Sequence, residues 1–458
     1  MERNHLIKIG ISLLLSLMLT IPGLLIAADS DEEKKEESSE QVKTDWHNIS
    51  PNLKIGGSLR VRAEDKNSFN FVDSNQDYML TQLRLNISWK ASENVKIFLE
   101  GQDARVMGEE ITAIPSINRD ATPNIFADQF DLHQGFVDVN FSANRTPVKI
   151  RAGRQKFNLG TQRLVASLEW VNTARVWDGV RVTVGNAKSR NLDIIASRLV
   201  PVSPNRINDY SRTKSRYFNS QFHILYYTDK ITIPNTQWES YLMLRRESQI
   251  DDNVYTFGTR FTTVKDSWLF EGEAAAQSGT YSGFTHKAFM AHIGTEYKTG
   301  VFNNAKVGTA YNFGSGDGVP NDQTHSTFDN LYPLNHAYYG YMDLFSLQNI
   351  HNFEVTFKNN PLPKLGLRVA YQGFWLHRAS NDAWYNAGSA AMRNANGADV
   401  SSYVGSEIDI TVKYPFYNKR IVGVVGVSQF FKGAYVDDVV SASENDASFY
   451  FVQTKIKF

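Results

Sequence analysis

The sequence predicts an all-β fold, a transmembrane antiparallel up-and-down β-barrel of about eighteen strands. Three observations predict it. Apolar and polar residues alternate over segment after segment of roughly ten residues, the period of a strand with two unlike faces. Short, turn-like connections alternate with long ones along the chain, as in barrels with tight turns at one rim and loops at the other. The last segment, "FYFVQTKIKF", alternates too and ends on an aromatic residue, Phe458.

In chain order, residues 1–28 read as a secretory signal peptide. Arg3 and Lys8 make a basic start, Ile9 to Ile26 is apolar, and Ala27 and Ala28 are small residues suited to cleavage. Pro22 and Gly23 break the run near its end, which argues against an uncleaved anchor. Residues 29–45 hold the charge run "DSDEEKKEESSE", too polar to bury a core, and read as an acidic disordered periplasmic tail. Residues 46–458 are the expected outer-membrane barrel.

The alternating spans are 54–64, 78–90, 94–105, 131–141, 147–156, 175–185, 190–200, 216–227, 237–249, 252–263, 267–279, 285–298, 303–313, 347–358, 363–378, 402–414, 419–431 and 447–458. "LTQLRLNISWK", for example, sets Leu83, Leu85, Ile87 and Trp89 against Arg84, Asn86, Ser88 and Lys90. The short connections are 91–94, 142–147, 186–189, 265–267, 359–363 and 415–419. The long ones are 106–130, 157–174, 201–215, 314–346, 379–401 and 432–446, and 249–253 must be a tight hairpin on the long-loop side. With both termini periplasmic, every short turn falls on the periplasmic side. Loops 106–130, 157–174 and 314–346 are long enough to fold into the lumen.

The stretch "VKIRAGRQKFNLGTQRLVASLEWVNTARVWDGVRVTVG" poses a choice of faces. Its valines alternate with arginines, and a soluble protein would hide the valines. In a barrel the apolar face meets lipid and the polar face meets the lumen. A charge on the lipid face costs about 2–4 kcal/mol near the midplane, so the valines point out and the arginines in. Arg154 shares parity with Val148 and Ile150; a bulge, or the end of the membrane band near Gly153, would account for it.

Composition excludes several classes. The formal net charge is zero, which gives no footprint for nucleic acid. There is no cysteine, hence no disulfide and no thiolate site. Mean hydropathy is −0.37, too low for a bundle of membrane helices.

Arg151–Arg181 reads as a GRQ strand, an RL loop, a W-x-N-x-x-R segment and an aromatic-D-G-V-R strand. "IFLEGQDAR" (Ile97–Arg105) and "FDNLYPLNHAYYGYMD" (Phe328–Asp343) add an E-x-x-D-A-R strand and an aromatic loop. In these motifs the chain resembles the alginate-export family of outer-membrane porins, over roughly Leu53 to Phe458. The resemblance implies an eighteen-stranded barrel and passive export of an anionic polyuronate through an arginine-lined pore.

The candidate pore-lining and substrate-binding residues are Arg60, Arg62, Arg84, Arg151, Arg154, Arg175, Arg181, Arg260 and Arg368, with Asp178, Glu100 and Asp103. Rings of arginine select anions. The competing role is structural: inward arginines pair with lumenal carboxylates and stiffen the wall. Glu64, Glu100, Asp103, Asp138, Glu271, Glu273, Glu407 and Asp409 are expected to share the lumen, so a mild anion preference is expected rather than exclusion of cations.

No cofactor or metal is expected. "NFGSGDGVPNDQ" (Asn312–Gln323) offers Asp317 and Asp322 for calcium but lacks an EF-hand's spacing and closing glutamate. The ten histidines show no paired zinc spacing. The expected function is a non-enzymatic channel for passive diffusion or export of hydrophilic, anionic solutes, with an alginate-like polyuronate among them. Its partners are outer-membrane lipid, those solutes and the barrel-assembly machinery, and no nucleic acid. A lipase-like barrel enzyme and an adhesive or receptor barrel are the alternatives; no G-x-S-x-G signature favours the enzyme.

Overall fold

The computed structural model describes residues 48–69, 71–108, 125–202, 220–247, 250–319, 322–440 and 445–458. The expected signal peptide and acidic tail lie outside the described residues, as does most of the loop expected at 106–130.

Eighteen long strands form one closed antiparallel sheet. They are β1 (Leu53–Asn67), β2 (Asn75–Lys90), β3 (Val95–Met107), β4 (Asp128–Ala143), β5 (Thr146–Gln155), β6 (Trp177–Gly185), β7 (Arg190–Leu199), β8 (Gln221–Asp229) and β9 (Thr236–Glu247). Then come β10 (Asp252–Lys265), β11 (Trp268–Tyr281), β12 (Phe284–Lys298), β13 (Lys306–Gly314), β14 (Ile350–Leu362), β15 (Leu365–Leu376), β16 (Tyr403–Phe416), β17 (Ile421–Lys432) and β18 (Ala447–Lys457). Each pairs with its sequence neighbour, and β1 pairs with β18 from Ser58↔Lys457 to Asn67↔Ser448, which closes the barrel. Closure leaves no unpaired edge, as a sheet surrounded by lipid requires.

Each of the eighteen expected spans overlaps one strand. The turn between β4 and β5 has Asn144 at φ 47° and Arg145 at φ 65°, the two positive values of a type I′ hairpin. β9 and β10 join tightly, with Glu247 opposite Asp252.

The faces divide as alternation requires. Leu85, Ile87, Trp89, Val137, Val139, Phe257, Ile293 and Phe353 are exposed on the outside. Arg60, Arg62, Glu64, Gln82, Arg84, Glu100, Asp138, Glu407 and Asp409 are buried on the inside. Arg60 and Gln82 face each other on β1 and β2, and Asp138 faces Arg151 on β4 and β5.

The lumen holds a packed core. Phe157, Leu159, Leu164 and Val165 of the connection 156–176 pack with Phe328, Leu331, Tyr332 and Tyr339 of the connection 315–349. Inward residues of the wall, Ile195, Phe222, Ile224, Met243 and Met290, complete this core. The two connections also pair through backbone: Ala166 N–H donates to Tyr332 O at 2.8 Å, and Tyr332 N–H donates to Leu164 O at 3.0 Å. Two of the three loops expected to be long enough to enter the lumen therefore do so.

Candidate functional site: the lumen and its inward loops

Loop 156–176 is held against β1–β3 by polar side chains that the strand alternation turns inward. Arg60 donates to Glu169 O at 2.7 Å, to Val171 O at 3.0 Å and to Asn172 Oδ1 at 3.1 Å. Arg62 donates to Trp170 O at 2.8 Å, and its guanidinium lies 3.8 Å over the Trp170 ring. Gln82 and Gln102 donate to the carbonyls of Asn172 and Thr173 at 2.5 and 2.7 Å. Asn172 Nδ2 reaches three wall or loop carbonyls, Thr81, Arg105 and Phe126, at 3.0, 3.1 and 2.8 Å. A loop brought into the lumen must satisfy its backbone there, and these side chains do so.

The two loops are also locked to each other. Trp170 stacks on His336 with ring centres 3.6 Å apart, and His336 stacks on Tyr341 at 4.5 Å. Asp343 accepts from Trp170 Nε1 at 3.1 Å and pairs with His336 at 3.2 Å. Arg163, fully buried, donates to Asn312 Oδ1 at 3.0 Å and to Tyr339 OH at 3.2 Å. Arg175, also on loop 156–176, donates to Ala166 O at 3.1 Å within the same loop.

The remaining inward arginines each meet a carboxylate. Arg151 pairs with Asp138 at 2.6 Å and Arg181 with Asp193 at 2.8 Å. Arg260 pairs with Glu239, and Arg368 pairs with Glu354 at 2.7 Å. Four carboxylates are shared by two cations each, among them Glu64, which takes Arg62 at 2.5 Å and Lys66 at 3.7 Å. Asp138 takes Lys149 at 2.9 Å as well as Arg151. Glu296 takes Lys306 and Lys358, both at 2.8 Å. Glu169 takes Arg84 at 2.7 Å and Lys156 at 2.8 Å. Burial alone would raise the Glu169 carboxyl, but Arg84 and Lys156 outweigh it and hold the group well below the usual carboxylate range. Its side chain remains 41% exposed. Lys455 and Lys457 share the inward face of β18 with Gln453, opposite Arg60 and Ser58.

Arg154, Asp178 and Asp103 do not join this group. Arg154 stands opposite Gly135 and Asp178, on the register face of Val137 and Val180 rather than that of Arg151 and Arg181. It pairs with Asp178 at 2.8 Å and donates to Leu132 O at 2.8 Å. No register shift interrupts β5, so the strand's end, not a bulge, accounts for its position; Gly153 lies at φ 123° just before it. Asp103 has the parity of exposed Leu99 and binds Arg105 at 2.5 Å. Glu100, three residues earlier, faces inward and accepts from Gln134 at 2.9 Å. An odd separation on an unbroken strand places two residues on opposite faces.

Asp317 and Asp322 bind their own loop backbone, accepting from Val319 N–H at 3.2 Å and Thr324 N–H at 2.8 Å. Sequence reasoning missed Glu169, Trp170 and Asn172 as docking residues and the paired lysines as lumenal charge. The W-x-N-x-x-R segment was the available signal for the first group, since it spans Trp170, Asn172 and Arg175.

The barrel is similar in fold to solved bacterial proteins. Acinetobacter baumannii OccAB4 matches with TM-score 0.62 at 11% identity, over 90% of this chain and 99% of that one. Pseudomonas aeruginosa OccK8 (OprE) matches with TM-score 0.60 at 13% identity, over 88% and 98%. Pseudomonas aeruginosa OccK11 (OpdR) matches with TM-score 0.54 at 14% identity, over 88% and 96%. At such identities the likeness is one of fold. No curated protein matches the sequence. The family model described as alginate export matches residues 52–449, nearly the whole described barrel. The chain belongs to the alginate export family of outer-membrane β-barrel porins.

Proposed function

We propose that the protein is a passive channel for hydrophilic solutes with a mild preference for anions, and that carboxylated sugars or their polymers are the solutes it suits best. The observation that carries this reading is the two-to-one sharing of Asp138, Glu296 and Glu64 by lumenal cations. Each such cluster keeps one net positive charge. Lys455 and Lys457 add to it, with no carboxylate within 4.0 Å among the described residues. A narrow lumen with low-dielectric walls focuses the field of these charges. Several weak sites in series let an anion enter and leave, where one tight site would hold it. The docked loops narrow the path and keep permeants close to the wall. The N-terminal tail lies on the periplasmic side in this reading, with the short-turn rim.

The test is conductance in a planar bilayer under a potassium chloride gradient. A stable open channel whose reversal potential lies on the anion side is the expected result. A cation-side reversal potential would overturn the charge argument, and the absence of channels would overturn the transport reading.

A further inference from the structure

Three lysines meet at one corner of the short-turn rim. Lys54 of β1 has the parity of buried Arg60, Lys90 of β2 that of Arg84, and Lys96 of β3 that of Glu100, so all three stand on the lumen face. Lys90 lies directly opposite Lys96, and Lys54 lies opposite Ser88, two residues before Lys90. Like charges directly opposite each other on one face destabilise a sheet. With Pro51 and Asn140 the lysines line a cleft of about 450 Å³. The nearby carboxylates do not relieve the repulsion. Glu93 meets Lys90 at 3.0 Å, but both are exposed, and such a pair contributes little. Asp138 stands opposite Lys96 in the register, yet it is held by Lys149 and Arg151. Among the described residues no carboxylate lies within 4.0 Å of Lys54 or Lys96. An anion laid across the corner removes the conflict.

The chain enters the barrel at this corner. Asn48–Ser50 folds back on Leu53 and Lys54, with Asn48 opposite Lys54. The preceding sequence has seven acidic residues and two lysines between Asp29 and Glu40, hence five net negative charges. Residues 41–47 separate this run from Asn48. An extended chain spans about 3.3–3.6 Å per residue, so that link reaches up to roughly 25 Å. From β1 to β3 the distance is roughly 10 Å, two strand spacings. The acidic run is therefore within reach of all three lysines.

We propose that Asp29–Glu40 docks on Lys54, Lys90 and Lys96, and that it is a tethered competitor of anionic solutes at the short-turn mouth. Its role as competitor rests on the reading of the lumen as an anion path; the docking rests on charge and reach. A short tether gives the segment an effective concentration on the order of millimolar. Exposed ion pairs are individually weak and are screened by salt, so the segment yields to rising ionic strength or to a denser polyanion. The lysines thus hold one acidic segment or another, and the one on the same chain is always at hand.

The experiment uses the full chain, folded in an uncharged detergent. The native sequence has no cysteine, so Ser38→Cys takes a single nitroxide label. Its motion is read by electron paramagnetic resonance at about 0.1 M and about 1 M potassium chloride, where the Debye length falls from about 10 Å to about 3 Å. A slow component is expected at low salt, with its loss at high salt. The triple variant Lys54→Gln, Lys90→Gln, Lys96→Gln should lose it at both. Lys298→Gln, at the same rim on the last residue of β12, should keep it. A heat-dependent gel shift confirms that each variant is folded. A label that tumbles freely at low salt in the chain with all three lysines overturns the proposal and leaves the cleft to solutes. So does a slow component that survives in the folded triple variant. In bilayers at about 0.1 M salt, brief closures are expected and deleting Asp29–Glu40 should remove them; closures that persist overturn the competitor role. The reversal potential of the deletion variant tests the anion path separately. A cation-side value beside salt-sensitive docking keeps the segment on the lysines and removes its role as competitor.

Discussion

Glu169 of loop 156–176 meets Arg84 of β2 at 2.7 Å, and this contact joins the barrel wall to the segment that narrows it. The same carboxylate holds Lys156 at 2.8 Å. Loop docking and lumenal charge are therefore parts of one cluster. The backbone beside Glu169 is fixed independently, through Arg60, Arg62 and Asn172. The charge can thus be changed without releasing the loop.

Glu169→Gln should make the lumen one charge more positive while loop 156–176 stays docked. In a salt gradient the reversal potential should move further to the anion side. Conductance steps should stay as sharp as in wild type. A reversal potential that does not move would place Glu169 outside the conducting path.

Asn172→Ala should do the reverse. Its Nδ2 serves the carbonyls of Thr81, Arg105 and Phe126, and truncation leaves these acceptors short of a donor. The local cost is about 1–3 kcal/mol. Barrel closure does not depend on this side chain, so the heat-dependent gel shift should persist. Single-channel records should become noisier, with larger steps, because the loop leaves the wall more often. Records identical to wild type would show that other contacts suffice to hold the loop.

The Glu169 carboxyl lies below its ordinary value, and the sign of the pH effect follows. A carboxyl depressed in the folded state contributes stability that is present above its unfolded pKa. That stability is lost only as pH falls through the folded value. An ordinary glutamate titrates near 4.3, so loop docking should survive acidification to about pH 4 and fail only below it. Stepwise acidification of single channels checks this. A change in conductance level between pH 5 and 4 would show an unperturbed carboxyl.

The strands were legible in the sequence because a barrel wall has only two faces, and period two reports both. "LTQLRLNISWK" reads the same way in the sequence as in β2. The packed core inside the lumen was less legible. Its signal was a break in alternation: Ile195, Phe222, Ile224, Met243 and Met290 are apolar at inward positions, which a water-filled lumen does not explain. Those residues mark where the wall meets a loop core rather than water. The docking of loop 156–176 was hidden for a different reason. Its contacts pair Arg60 with residues more than 100 positions away, and no periodicity carries that distance. Asp103 was expected to share the lumen with Glu100, although the odd separation of the two sets it on the other face.

Deleting Phe458 should impair insertion more than deleting Asp29–Glu40. Phe458 O accepts from Gly57 N–H at 2.7 Å, and Phe458 N–H donates to Gly57 O at 3.1 Å, at the seam where β1 meets β18. A Cβ on Gly57 would lie 2.5 Å from the Phe458 ring, so glycine there leaves room for the aromatic end. The yield of heat-shifting protein in the outer-membrane fraction measures the effect. Equal yields from the two deletions would refute a special role for the terminal residue.

Selectivity should depend on Arg151 and Arg181 but not on Arg154. The first two share the inward face with Asp138 and Asp193 and are partly exposed. Removing Arg151 leaves Asp138 with Lys149 alone, so that cluster loses its net positive charge. Removing Arg181 strips Asp193 of its guanidinium and leaves a carboxylate held by Thr183 and Asn191. The double variant Arg151→Ala, Arg181→Ala therefore makes the lumen two charges more negative. Its reversal potential should move toward cations, and more so at low ionic strength, where screening is weaker. Lysine at both positions keeps the charge and should restore a value near wild type, although it loses the bidentate fork. Arg154 lies on the other face, bound to Asp178 and Leu132 O. Arg154→Ala should lower thermal stability and leave the reversal potential where it was. If Arg154→Ala moves the reversal potential as far as the double variant does, the charges that set selectivity are not those of the inward face.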